Sequence, residues 1–97
     1  MPETIQIKLI VTGRVQGVFF RAETKKAADR LGINGYVKNL SDGSVEAMIQ
    51  GYPSIVALMI EWCNKGPAAS KVDQVITEEI EHSTGQSWAF DKFEIRY

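Results

Sequence analysis

Arg21 closes the run Gly13-Arg14-Val15-Gln16-Gly17-Val18-Phe19-Phe20-Arg21. A guanidinium is a planar fork of donors that grips two oxygens of one anion. A turn built on glycines lets consecutive backbone N–H groups point into one concavity, and a helix opening after it adds unpaired N–H groups and the positive end of its dipole. Loop and side chain together make a cradle for a phosphoryl group. Further along, Asn39 follows Gly35-Tyr36-Val37-Lys38. Its amide carries both donors and an acceptor, so it can hold a water and a phosphoryl oxygen at once. The ordinary alternatives are a solvated surface loop for the first stretch and a backbone-bonding turn asparagine for the second. The loop spacing is neither G-x-G-x-x-G nor G-x-x-x-x-G-K-[ST], so the common nucleotide-binding loops are not supported.

Several elements must bring these groups together. Ile5, Ile7, Leu9 and Val11 alternate with Gln6, Lys8 and Thr12, which predicts a strand over Ile5 to Gly13 with one face in the core. Thr24, Ala27, Ala28 and Leu31 then fall at i, i+3, i+4 and i+7, opposite Lys25, Lys26, Asp29 and Arg30, as in an amphipathic helix that Gly32 ends. The runs Ile33 to Leu40 and Ser44 to Gly51 flank Ser41-Asp42-Gly43 and read as a hairpin. On its first strand Val37 and Asn39 share a face opposite Tyr36, Lys38 and Leu40. A second helix opens at Pro53, with Ser54 as its cap, and presents Ile55, Leu58, Met59 and Trp62 before Lys65-Gly66-Pro67 stops it. Ser70 to Glu81 and Trp88 to Tyr97 read as two more strands, joined by the polar turn His82 to Ser87, with Phe93, Ile95 and Tyr97 on one face of the last. Strand, helix, strand, strand, helix, strand and a final strand is the split-βαβ, ferredoxin-like plan. It predicts an α+β sandwich with an antiparallel sheet of four to five strands and both helices on one face.

Composition bounds the function. The chain of 97 residues is expected to be one domain over its whole length, and its formal net charge of −1 gives no general field for nucleic acid or membrane surfaces. Any anion site is therefore local. No apolar run reaches the length of a membrane span, and Cys63 is a single cysteine that cannot form an internal disulfide. Together these predict a cytoplasmic protein.

The two stretches Gly13 to Arg21 and Gly35-Tyr36-Val37-Lys38-Asn39-Leu40-Ser41-Asp42-Gly43-Ser44-Val45-Glu46, with Gly51 beyond, resemble the two signature stretches of the acylphosphatase family. Length, element order, and Trp62-Cys63 followed by Gly66-Pro67 are similar as well. The resemblance implies a small ferredoxin-like enzyme that hydrolyses the carboxyl–phosphate bond of acyl phosphates without metal or cofactor. It matches the family's catalytic arginine to Arg21 and its water-positioning asparagine to Asn39. The family's phosphate-binding loop falls on Val15, Gln16, Gly17, Val18, Phe19 and Phe20. The expected ligands are a small-molecule acyl phosphate and inorganic phosphate, as product and competitor. Nucleic acid and membrane are not expected partners, and the protein is expected to be a monomer.

The remaining chemistry-bearing residues read as structural. His82 is the sole histidine and lies in a polar turn, Glu23 favours the first turn of a helix, and Arg14 reads as a solvated arginine. Phe19 and Phe20 read as packing for the loop, and Glu78, Glu79 and Glu81 as a solvated strand edge. Two rivals share the fold plan. An RNA-binding sheet requires exposed aromatics in an RNP-like run and a basic face, which this sequence lacks. A non-catalytic phosphate or acyl-phosphate sensor has no use for a group that aims water, so Asn39 discriminates against it.

Overall fold

In a computed structural model that describes residues 4–80 and 90–96, the first alternating run forms β1 (Ile5–Arg14), with Ile7, Leu9 and Val11 buried. The chain continues through α1 (Phe20–Leu31), β2 (Asn34–Asn39), β3 (Val45–Gly51), α2 (Pro53–Lys65), β4 (Lys71–Ile80) and β5 (Phe93–Arg96). The five strands form one sheet in the order β4-β1-β3-β2-β5. Both helices pack on it and on each other, and the core between them is built from Leu9, Val11, Phe20, Val37, Ala47, Ile49, Met59 and Phe93. This is the expected ferredoxin-like sandwich. None of the described helices is long and apolar enough to cross a membrane.

The sheet differs from the expected one in a respect that matters for the site: it is mixed, not antiparallel. β1 pairs antiparallel with β3 and β4, and β2 with β3, but β5 runs parallel to β2, with Val37 opposite Ile95 and Lys38 opposite Arg96. The cause is positional. β4 lies on the edge beside β1, whereas β5 lies on the far edge beside β2. A chain that reverses after β4 regains the direction of β1 and β2, so placing it next to β2 makes that pair parallel. The C-terminal ends of β1, β2 and β5 consequently lie at one end of the sheet. The last strand also begins at Phe93 and not at Trp88. Glu81, His82, Trp88 and Tyr97 fall outside the described residues.

Two details of α2 are corrected. Its cap residue is Tyr52, with Pro53 in the first helical position, so Ser54 lies inside the helix. Its buried face is Val56, Met59 and Cys63, while Leu58 is 48% exposed. The run Ile55-Val56-Ala57-Leu58-Met59-Ile60 supplies two overlapping stripes of the same spacing, and periodicity alone does not choose between them. Trp62 lies against Phe20 of α1, ring centroids 6.0 Å apart. α1 is as expected, with Thr24, Ala27 and Ala28 buried and Gly32 in the left-handed region at its end, but Phe20 extends the stripe where Leu31 is only partly covered.

Burial pushes the Cys63 thiol up to about 12. The thiolate is the reactive form. At pH 8 the folded protein is expected to resist a disulfide reagent such as DTNB, and to react at once when unfolded in urea. Rapid labelling of the native protein would show that the α2 face opens.

Candidate active site

The loop that follows β1 is launched by a bulge. The β1–β4 register slips between Thr12 and Gly13, and Gly13 adopts φ +122° with the carbonyl of Lys71 and the N–H of Asp73 against it. A Cβ there would lie 2.2 Å from the Lys71 oxygen, so only glycine fits. The bulge turns the strand end, and Arg14 beyond it is exposed. Gly17 then takes φ +72°. Helix α1 starts without a side-chain cap, and its ladder opens with the Glu23 N–H donating to the Phe19 carbonyl at 3.0 Å. The N–H groups of Phe20 and Ala22 precede that first bond and stand at the head of the helical ladder. A loop of glycine-bent backbone running into an uncapped helix start has a geometry able to receive an anion.

Asn39 stands at the end of β2, where the hairpin closes. The Leu40 N–H donates to the Ser44 carbonyl and the Gly43 N–H to the Leu40 carbonyl, a turn with Gly43 at φ +95°. The hydroxyl and N–H of Ser44 both donate to Asp42 Oδ1, which holds that carboxyl below its ordinary range and stiffens the turn. The loop is bonded to this hairpin directly. Gln16 Nε2 donates to the carbonyls of Leu40 and Ser44, each at 2.8 Å. This tie was not legible from the sequence, where Gln16 counted only for its backbone N–H. Gln16→Leu keeps the bulk and removes both bonds, and is expected to cost about 1–3 kcal/mol in urea unfolding. An unchanged unfolding midpoint would mean that the loop and hairpin hold their spacing without it.

Arg21 and Asn39 line one cavity of about 340 Å³, together with Val15, Gly17, Phe19, Phe20, Ala22 and Ile95. Arg21 Nη1 donates to the Arg96 carbonyl at 3.3 Å, which props the guanidinium against the end of β5. Ile95 and this carbonyl reach the site because β5 runs parallel to β2, so an antiparallel expectation could not have found them. Asn39 Oδ1 is buried and has no hydrogen-bond partner among the described residues. The two phenylalanines part company: Phe20 is 1% exposed in the core, as expected of packing, whereas Phe19 is 78% exposed on the cavity wall. Glu23 pairs with Lys26 at 3.5 Å on the outer face of α1. Gln16 and Val18 contribute no lining surface among the described residues; Gln16 turns its side chain to the hairpin, and Val18 packs on the core.

The family model described as Acylphosphatase matches residues 7–95. An acylphosphatase of Geobacter sulfurreducens is 44% identical over 95 residues, covering 96% of this chain and 100% of the relative. One from Rubrobacter xylanophilus is 45% identical over 83 residues, or 86% of this chain and 76% of the relative. Among solved structures, the acylphosphatase of Coxiella burnetii superposes with a TM-score of 0.86 at 36% identity, over 96% of this chain and 93% of its own. With the motif residues gathered at one end of a ferredoxin-like sheet, and with relatives matching over nearly its whole length, the chain belongs to the acylphosphatase family.

Proposed function

We propose that the cavity hydrolyses the carboxyl–phosphate bond of acyl phosphates to carboxylate and inorganic phosphate by in-line attack of a water held by Asn39. Arg21 and the backbone N–H groups of Val15 to Phe20 grip the phosphoryl group. The observation that carries this reading is the buried Asn39 Oδ1, which has no partner among the described residues. A buried acceptor without a donor costs roughly 1–3 kcal/mol. A water that donates one hydrogen to it removes that cost and keeps a lone pair for phosphorus.

The reaction asks little else of the protein. The departing carboxylate has a pKa of about 4, so no strong general acid is needed. Phosphoryl transfer requires alignment and charge stabilisation on the equatorial oxygens, which Asn39 and the cradle supply. Among the described residues, no side chain on the cavity wall is a general base. The proton of the attacking water therefore passes to a phosphoryl oxygen of the substrate. In this reading the enzyme is a cytoplasmic monomer acting on small molecules, without a metal, and inorganic phosphate competes for the cradle.

The test is hydrolysis of benzoyl phosphate, followed by its ultraviolet absorbance, in excess chelator. Rapid loss of substrate, slowed by added phosphate, is the expected result. A folded protein that binds phosphate and hydrolyses nothing under any metal condition would be a sensor, and the reading would fall.

A further inference from the structure

Phe19 is built against two ordinary preferences. Among the described residues it is the one non-glycine with positive φ, at 61°, a region where bulky side chains are rare and strained. Its ring is also the most exposed of the large apolar side chains, at 78%, ahead of Ile76, Leu58 and Tyr52. Glycine would take the same backbone without strain and expose no ring. The fold does not need the ring either, since the apolar contact with α2 is made by its neighbour Phe20 against Trp62. What the ring does touch is the cavity that holds Arg21 and Asn39.

That cavity, at about 340 Å³, is larger than a phosphoryl group requires and falls in the range of pockets that enclose small organic ligands. In-line attack sends the acyl group away from Asn39, toward walls supplied by the loop, α1 and β5. Among the described residues on those walls Arg21 is the one charged side chain, and the others are Val15, Phe19, Phe20, Ala22 and Ile95 beside Gly17. Apart from the Arg96 carbonyl that Arg21 engages, no described side chain on those walls offers a polar partner to an acyl chain once Arg21 holds phosphate. We infer that the exposed ring of Phe19 seats the acyl group, and that the site thereby selects acyl phosphates whose acyl group is flat and apolar, above all aromatic. The inference rests on the hydrolytic reading of the cavity and adds the substrate class to it.

The test compares kcat/KM for benzoyl phosphate and acetyl phosphate in the wild type, Phe19→Gly and Phe19→Asn. Glycine and asparagine are the residues most at ease with this φ, so either variant reports on the ring if the other fails to fold. Taking the ratio of the two substrates within one protein cancels any common effect on the cradle. The benzoyl-to-acetyl ratio is expected to fall roughly three- to tenfold in both variants, mostly through KM, the size of an aromatic contact. Phe19→Trp should keep or raise the ratio. Equal losses on both substrates, or an unchanged ratio, would overturn the inference and leave the hydrolytic reading intact. A wild type inactive on both substrates would instead remove the reading on which it rests.

Discussion

Asn39→Ala is expected to abolish turnover while leaving the inhibition constant of inorganic phosphate close to that of the wild type. Loss of one preorganised group aimed at the reacting centre lowers rates by ~10² to 10³, and here the lost group is the proposed sole support of the nucleophile. The cradle is untouched, because Gln16 bonds to the backbone of Leu40 and Ser44 and not to the Asn39 side chain. The same substitution removes a buried acceptor that has no partner among the described residues, so the variant should unfold at a urea concentration equal to or above that of the wild type. Inactivity with undiminished stability and phosphate affinity is a signature no purely structural role would give. Phosphate affinity lost in step with activity would instead make Asn39 a binding residue.

Arg21→Lys is the second large effect, and its pattern should differ. A lysine keeps the charge but replaces a planar fork, propped at 3.3 Å from the Arg96 carbonyl, with one mobile ammonium. Both kcat/KM and phosphate affinity are expected to fall, the former by ~10² to 10³. The two variants therefore separate grip from aim. If Arg21→Lys lost less than tenfold in kcat/KM, charge alone would suffice and the fork geometry would have no part in the reaction.

The fold plan and the turns that frame the cavity were legible in the sequence, and Arg21 and Asn39 do line one cavity. Gly13, Gly17, Arg21, Asn39 and the Asp42-Gly43 turn are legible because each reflects a constraint on a few neighbouring atoms. Relations between distant elements were not legible. The direction of β5 depends on which edge it joins, so Ile95 and the Arg96 carbonyl could not be placed at the site. The rotation of α2 was undetermined because Ile55 to Ile60 is apolar on more than one face. The opposite fates of Phe19 and Phe20 turn on where α1 begins, and a phenylalanine is among the last residues to announce a left-handed backbone.

The prop beneath Arg21 ties the site to the frailest strand of the sheet. β5 has four residues and, among the described strands, one partner. Its beginning is pinned, since Phe93 is buried and Lys25 donates to its carbonyl at 3.1 Å, but its end at Ile95 and Arg96 is only partly covered or exposed. Short edge strands open by fraying, at a free energy well below that of global unfolding. Amide hydrogens of Ile95 and Arg96 should then exchange before those of Leu9 or Ile49. In rising denaturant the enzyme should fall silent while its circular dichroism is still native, because the guanidinium loses its footing before the sheet loses its shape.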